Sequence, residues 1–387
     1  MDHLLHLLRR CLPTLLLVVG ASALLLATDR ARSGRTMPAV AVLQQTSSFA
    51  LEETVKGMLD GLEKAGFRDR VNVSIRRFNA EGDLAQGNAI AREIVSGPFD
   101  LVLTSSTPSL QQVATANDRG RLKHVFAAVA DPFSAGVGLD RADPAAHPPW
   151  LVGYGSLVPV DFTFGVATRL NPSLRRVGAA HNPSESNSRR FMDLARATCR
   201  RRGIELIEVP VENSSGVIEA VQATIARGAE AIFCPGDTTV MAAVDTTVAT
   251  AAKAGVPVFT VTPGVPDRGT LFDVGFNFHE VGLVAGRLAA DILEGTDPAG
   301  VPIRETASAI PPYLVVNLVA RGVDRAVWRI PEELVAQARY VVDASGLREQ
   351  PDAVLAGPFD APDEQGGGPG VGDRGAEGHR PPAAADR

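Results

Sequence analysis

The sequence has no excess of basic charge, and it lacks the motifs that identify many nucleotide-binding proteins and hydrolases. Its net charge is -6 at pH 7. No basic patch or arm is available to neutralise phosphates, which argues against nucleic acid as a partner. Gly153 and Gly155 lack the third glycine of a dinucleotide fingerprint, and neither a G-x-x-x-x-G-K-[ST] phosphate loop nor a G-x-S-x-G nucleophile turn occurs. We therefore expect no catalytic residue and no cofactor, and an enzyme is the least favoured class of function.

Cysteine and metal-ligand clusters are also scarce. The chain has three cysteines, and Cys11 precedes an apolar run, whereas a lipidated cysteine would follow one. Cys199 and Cys234 could pair in an oxidising compartment, but a buried free cysteine is a common small core residue, and we favour that alternative. His181 and His279 have no matched set of carboxylates or cysteines, so no metal site is predicted.

The start of the chain indicates export. Arg9 and Arg10 precede an apolar run from Leu12 to Ala27, and polar residues follow at once. A basic segment followed by an apolar one is the layout of a secretory signal. The run is shorter than the ~20 residues of a typical spanning helix, so an uncleaved anchor formed by residues 12–27 is the second alternative. We predict a periplasmic protein in which residues 1–36 are a signal peptide or an anchor.

The segment between Val40 and Val261 passes twice through one α/β pattern. The first pass has predicted strands at 39–43, 71–78, 100–103 and 124–128, alternating with helices at 51–64, 84–95 and 109–117. The second pass has predicted strands at 176–180, 204–209, 230–233 and 256–261, alternating with helices at 186–201, 216–226 and 239–254. Such alternation predicts parallel sheets with helices on both faces. Two similar halves predict two Rossmann-like lobes, and the cleft between them is the expected binding site for a small molecule.

The remaining segments are predicted to complete both lobes. A helix at 281–293, with Gly282 and Gly286 giving close packing, is followed by a strand at 313–317 and a helix that begins at Pro331. The predicted units are residues 37–157 with about 276–308 for lobe 1, and residues 158–275 with about 309–345 for lobe 2. Residues 346–387 are rich in Pro, Gly, Asp, Ala and Glu, which predicts a disordered tail.

Polar loops follow the predicted strands, at the edge where parallel α/β sheets bind ligands. Backbone N–H groups at helix starts attract anions, and Ser and Thr hydroxyls add donors. Helix capping is the alternative role for each residue taken singly. The candidate ligand-binding residues from these loops are Gln45, Thr46, Ser47, Ser105, Ser106, Thr107, Asp131, Asn182, Glu185, Asn187, Ser188, Asp237 and Thr238. The aromatic residues that could stack on a ligand, or else pack the hinge, are Phe49, Phe133, Tyr154, Phe276 and Phe278.

A series of short motifs, in order along residues 38–344, carries a family resemblance. The motifs are GMLDGL at 57–62, NAEGD at 79–83, AVADP at 128–132, NPSESNS at 182–188, DTTV at 237–240, GVPVF at 255–259 and GFNFHEVG at 275–282. The chain resembles the type I periplasmic-binding-protein-like substrate-binding proteins of ABC transporters, in the tryptophan- and tyrosine-binding branch. The resemblance implies three hinge crossings, closure of the cleft on the ligand, and delivery to an ABC permease and its ATPase.

Two departures from the family concern the ligand. Relatives often have an acidic residue where this chain has Ser156, and an Asp where it has Asn277, so a partner for a ligand ammonium group is lost at both candidate positions. Asp131 remains as a candidate ammonium partner. We therefore expect an extracytoplasmic solute-binding protein, a monomer, whose ligand is an amino acid, a carboxylate or a related polar compound, and we favour a ligand less cationic than a free amino acid. A membrane-tethered ligand-sensing ectodomain is the alternative function.

Overall fold

The structure, a computed structural model, describes residues 37–264, 266, 268–305 and 310–356. The predicted signal or anchor segment at 1–36 and most of the predicted tail lie outside these residues. Within them, no helix combines the length and the apolar character needed to cross a membrane.

The first sheet is a six-stranded parallel sheet. Its strands are β1 (Ala39–Gln44), β2 (Ser74–Asn79), β3 (Leu101–Ser105), β4 (Lys123–Val129), β5 (Leu151–Gly155) and β11 (Arg304–Glu305). They are ordered β11-β5-β4-β3-β1-β2. Strand β3 is buried along its whole length because helices cover both faces of the sheet. These helices are α1 (Phe49–Lys64), α2 (Leu84–Ser96), α3 (Thr107–Ala116) and α9 (Phe278–Leu293). We call this sheet and its helices lobe 1.

The second sheet has eight strands, and we call it with its helices lobe 2. Its strands are β6 (Arg176–His181), β7 (Glu205–Pro210), β8 (Ala231–Cys234), β9 (Val258–Thr260), β10 (Phe272–Gly275), β12 (Tyr313–Asn317), β13 (Tyr340–Asp343) and β14 (Gly346–Glu349). They are ordered β14-β13-β12-β10-β9-β8-β6-β7. The pairs β10–β12 and β13–β14 are antiparallel, so the expectation of purely parallel sheets holds for lobe 1 and for most of lobe 2.

Five helices of lobe 2 precede β10, and a short sixth helix lies between β12 and β13. They are α4 (Val160–Leu170), α5 (Ser186–Arg202), α6 (Val217–Ala226), α7 (Thr238–Ala242), α8 (Val244–Lys253) and α10 (Glu332–Gln337). Helix α4 brings Phe164 against Phe233 and Phe259 of the sheet, with ring centroids 5.1 and 5.4 Å away. This aromatic cluster buries the apolar side of α4 in the core of lobe 2.

The chain passes between the sheets three times among the described residues. It leaves lobe 1 after β5, returns after β10 to form α9 and β11, and leaves again before β12. The two-lobed α/β fold expected from the sequence is thus confirmed. One predicted boundary is wrong: Gly346–Glu349 form β14 and pair with β13, so residues 346–349 belong to the sheet and not to a disordered tail.

Helices α1 and α9 make a close contact that glycines allow. A Cβ at Gly282 would collide with the backbone oxygen of Thr54, and a Cβ at Gly286 would collide with that of Met58. The close packing predicted for Gly282 and Gly286 is therefore present. Helix α1 begins after the carboxyl end of β1, and α9 begins just after β10. Their close contact therefore sets the positions of these two helix starts relative to each other.

Candidate ligand-binding site

A cleft lies between the carboxyl edges of the two sheets. It encloses about 680 Å³ when the part open to solvent at its mouth is included. Residues of both lobes line it: Ser48, Phe49, Ala50, Leu51, Ser106, Thr107, Ala128, Ala130, Ser156, Val158, Asn187, Phe191, Gly236, Asp237, Thr238, Met241, Val261, Thr262, Pro263, Gly264, Arg268 and Phe278.

The lobe 1 side of the cleft includes the amino end of α1. Ser48, Ala50 and Leu51 line the cleft, and the Ser48 side chain makes no capping hydrogen bond to the helix. The first N–H groups of a helix have no partner inside the helix. These donors, with the positive end of the helix dipole, therefore favour an anionic or hydrogen-bond-accepting group in the cleft.

The neighbouring wall of lobe 1 carries two unusual backbone conformations. Ser106 has φ 120 and Ala128 has φ 53, values that residues other than glycine rarely adopt. The Ser106 hydroxyl oxygen accepts a hydrogen bond from the N–H of Ser109 and so caps α3. Both strained residues line the cleft, and such strain is typical of functional sites.

On the lobe 2 side, two buried carboxylates cap the short helix α7. Glu185 accepts hydrogen bonds from the N–H groups and hydroxyls of Thr238 and Thr239, at 2.6 to 3.0 Å. Asp237 accepts one from the N–H of Val240, and its other oxygen accepts from the hydroxyl of Ser188 and the N–H of Asn182. The acceptor capacity of both carboxylates is thus largely used by the chain itself.

Burial shapes the ionisation of the carboxylates in lobe 2. Burial of Asp237, and next the negative charge of Glu185, raise the pKa of Asp237 well above its usual range. Burial raises the pKa of Asp273 to about 6, although Thr260 and Thr270 donate hydrogen bonds to it and Arg268 lies nearby. Neither group is an exposed carboxylate of the kind that would receive a ligand ammonium group.

Asn187 is a polar side chain of the cleft whose buried acceptor is unused. It is 4% exposed and belongs to the first turn of α5, whose N-cap residue Glu185 makes no capping hydrogen bond to that helix. Its amide nitrogen donates to the carbonyl of Gly236 at 3.2 Å and to Glu185 at 3.4 Å. Its Oδ1 has no hydrogen-bond partner within the described chain. A buried acceptor without a partner is costly, so a donor from a ligand would stabilise it.

Arg268 is a basic side chain of the cleft wall that the sequence analysis did not identify. Its side chain is 10% exposed, and its Nε lies 2.8 Å from Asp245 Oδ1. The guanidinium lies against Gly264, where a Cβ would collide with it. A guanidinium presents a planar set of donors that matches a carboxylate. The signal in the sequence is weak, because Arg268 is one basic residue in an irregular segment after β9.

Six of the candidate residues line the cleft. They are Ser106, Thr107, Ser156, Asn187, Asp237 and Thr238. Nine others are not among its lining residues: Gln45, Thr46, Ser47, Ser105, Asp131, Asn182, Glu185, Ser188 and Asn277. Several of these nine hydrogen-bond to a lining residue or cap a helix that contributes one. Ser188 and Asn182 hold Asp237, and Asn277 caps α9 by accepting a hydrogen bond from the N–H of Glu280.

Asp131 bridges the two lobes and does not line the cleft. It is 3% exposed, and its oxygens lie 2.6 Å from an Nη of Arg141 in lobe 1 and 3.0 Å from Nε of Arg190 in lobe 2. It also accepts hydrogen bonds from the N–H groups of Phe133 and Ser134. Asp131 is therefore placed as an ion-pair partner between the lobes, and two guanidinium groups occupy it in place of a ligand ammonium group.

Among the aromatic candidates, Phe49 and Phe278 line the cleft, and Phe191 joins them from lobe 2. Phe276 is in the core, and Phe133 lies under the guanidinium of Arg141. Phe191 was missed because it lies inside the predicted helix at 186–201, and not in a loop.

His181 and His279 each lie beside a carboxylate, and Cys199 and Cys234 are buried. His279 Nε2 is 2.7 Å from Asp60 Oδ2, and His181 Nε2 is 3.5 Å from Glu208 Oε2. Cys199 and Cys234 are both free and buried, and burial raises the pKa of Cys199 to about 12. No group of three potential metal-ligating side chains occurs in the described part of the chain.

Comparisons with known proteins place this geometry in context. The profile of the family described as ABC transporter substrate binding protein matches residues 39–342. A curated relative, the tyrosine-binding protein of Clostridioides difficile strain R20291, is 26% identical over 264 residues, which is 68% of this chain and 75% of the relative.

Two solved structures are similar over nearly their whole length. A conserved domain protein from Vibrio cholerae has a TM-score of 0.72 and 28% identity, covering 79% of this chain and 99% of that one. The ABC domain from Streptococcus pneumoniae, solved in complex with L-Trp, has a TM-score of 0.71 and 24% identity, covering 79% of this chain and all of that one.

Proposed function

The chain belongs to the ABC transporter substrate-binding protein family with the type I periplasmic-binding-protein fold, and on that premise we propose that it binds a small polar solute outside the cytoplasm and delivers it to an ABC permease. The basic and apolar N-terminal segment supports export. The relative named for tyrosine binding supports an amino acid or a related carboxylate as the solute. The proposed activity is binding and release by a monomer, without catalysis.

The cleft carries this proposal. Its walls come from both lobes. Each wall combines apolar side chains with hydrogen-bonding groups that lie in the first turn of a helix. Lobe 1 supplies the amino end of α1, and lobe 2 supplies Asn187 at the amino end of α5. A solute in the cleft would contact both walls, so binding favours the closed arrangement by the free energy of the additional contacts.

We further propose that the two lobes move as units about the three crossings. Lobe 1 would comprise residues 37–157 and about 276–308. Lobe 2 would comprise residues 158–275 and about 309–349, so that β14 belongs to it. The ion pair between Asp131 and Arg190 joins these units directly. In the proposed cycle it forms on closure and breaks on opening.

The direct test is thermal unfolding of the protein against amino acids, carboxylates, sugars and nucleosides. A compound at 100 times its Kd adds about 2.7 kcal/mol to the stability, which is a shift of a few degrees for a protein of this size. We expect a selective shift that is reduced in Asn187→Ala and kept in Gln222→Ala, an exposed amide on α6 that does not line the cleft. A folded protein that shifts with no compound, and that carries no co-purified solute, would refute the proposed function.

A further inference from the structure

We propose that the solute is a carboxylate with an apolar, ring-sized body, and that Arg268 together with the first turn of α1 recognises the carboxylate while Asn187 accepts a hydrogen bond from the rest of the solute. This inference names the ligand class of the proposed function and therefore rests on it. In this assignment an ammonium group contributes little to binding.

The charges of the cleft support a carboxylate. Arg268 is the cationic side chain among the described residues that line the cleft, and its Nε lies 2.8 Å from Asp245 Oδ1. A carboxylate takes a guanidinium through two parallel hydrogen bonds. Asp273 lies near Arg268, but it is buried and two threonine hydroxyls already donate to it. Asp245 is on the outer surface, with a side chain that is 78% exposed.

The acidic groups near the cleft give an ammonium group little to bind. Asp237 is fully buried and accepts three hydrogen bonds from the chain. Glu185 is occupied by the start of α7, and Asp131 by Arg141 and Arg190. A ligand cation would therefore have to displace contacts within the protein, whereas a ligand anion meets helix donors and a guanidinium.

The acceptor at Asn187 is an independent observation. Oδ1 is buried without a partner in a residue that is itself 4% exposed and that lines the cleft. A solute with an N–H or O–H group would satisfy it. The largest apolar side chains of the lining are Phe49, Phe278, Phe191 and Met241, two from each lobe, and they suit an aromatic or other flat apolar body.

The test uses matched sets of compounds in binding titrations. L-tyrosine is compared with tyramine, which lacks the carboxylate, and with 3-(4-hydroxyphenyl)propionate, which lacks the ammonium group. L-tryptophan, tryptamine and 3-indolepropionate form the second set. We expect the amino acid and the acid of at least one set to bind at least tenfold more tightly than the amine.

Variants of Arg268 separate recognition from folding. Arg268→Gln should weaken acid binding by about 10- to 100-fold, the usual effect of losing a hydrogen bond to a charged group, with little change for the amine. Arg268→Lys should recover part of the loss, and Arg321→Gln, an exposed residue of lobe 2, serves as the control.

Three outcomes would overturn the inference. One is an amine that binds as well as its acid, and another is an equal loss of acid and amine binding in Arg268→Gln. The third is that neither set binds while a sugar or nucleoside shifts thermal unfolding; the proposed function then stands and the ligand class is wrong. If no compound of any class binds, the proposed function itself fails.

Discussion

The ion pair between Asp131 and Arg190 should set part of the balance between open and closed lobes. Arg190 lies on α5 of lobe 2 and Asp131 lies in lobe 1, with 3.0 Å between Nε and the carboxylate. The Arg190 side chain is 29% exposed, so solvent screens the pair, and we assign it about 1 kcal/mol in the closed state. Arg190→Gln should therefore lower the closed-to-open ratio, and with it the affinity of a solute that binds on closure, about fivefold.

The chain offers a matched control for this change. Arg141 pairs with the same carboxylate at 2.6 Å and with Glu305 at 3.4 Å, and all three residues belong to lobe 1. Arg141→Gln should lower the free energy of unfolding without a comparable change in affinity. Calorimetric titration with L-tyrosine and 3-(4-hydroxyphenyl)propionate, beside urea unfolding, separates the two effects. Equal affinities of Arg190→Gln and the unchanged protein, or an equal loss in both variants, would refute the assignment of this pair to closure.

Three further predictions concern the scaffold. Gly286→Ala should destabilise the protein in urea unfolding by about 1–3 kcal/mol, because its Cβ would collide with the backbone of α1, whereas Gly300→Ala, which meets no atom, should change stability little. The pKa of Asp273 is about 6 in the folded protein and 3.8 ordinarily, so the contribution of Asp273 to the free energy of unfolding falls as pH rises from about 4 to 6. Asp273→Asn should remove this pH dependence. In urea unfolding at pH 7.5 it should raise the free energy of unfolding by at most about 3 kcal/mol. Cys199 and Cys234 should react with a thiol reagent only on unfolding, since burial raises the pKa of both; fast reaction of either in the native state would contradict their placement.

Local sequence pattern was sufficient for most of the α/β order, because buried parallel strands and amphipathic helices are periodic. It missed α4, and it missed β5, where Gly153 and Gly155 interrupt the apolar pattern. Glycine is required there, because a Cβ at Gly153 would collide with Phe126 and one at Gly155 with Glu305. Strand β14 was missed because all four of its residues are exposed, so no alternation marks it.

The site was harder to predict than the fold, because the same residue types cap helices and bind ligands. Glu185 lies immediately before α5, yet its carboxylate caps α7, which is more than 50 residues further along the chain. Asp131 follows β4 as a ligand-binding residue would, but Arg190, a residue of the other lobe, is its partner. Only the packing of the two lobes decides which polar group remains for a solute: it selects Asn187 from the sequence candidates and adds Arg268, which the sequence did not indicate.

The most direct test of ligand-driven closure is a distance between the lobes. Gln86, near the start of α2 in lobe 1, and Glu212, after β7 in lobe 2, are exposed, so cysteines introduced there can carry one label on each lobe. The native Cys199 and Cys234 are buried and poorly reactive, and Cys11→Ser removes the third thiol. We predict that the compound giving the largest thermal shift shortens the distance between the labels and narrows its distribution. Tight binding of that compound with an unchanged distance would contradict the account of a solute held between closing lobes.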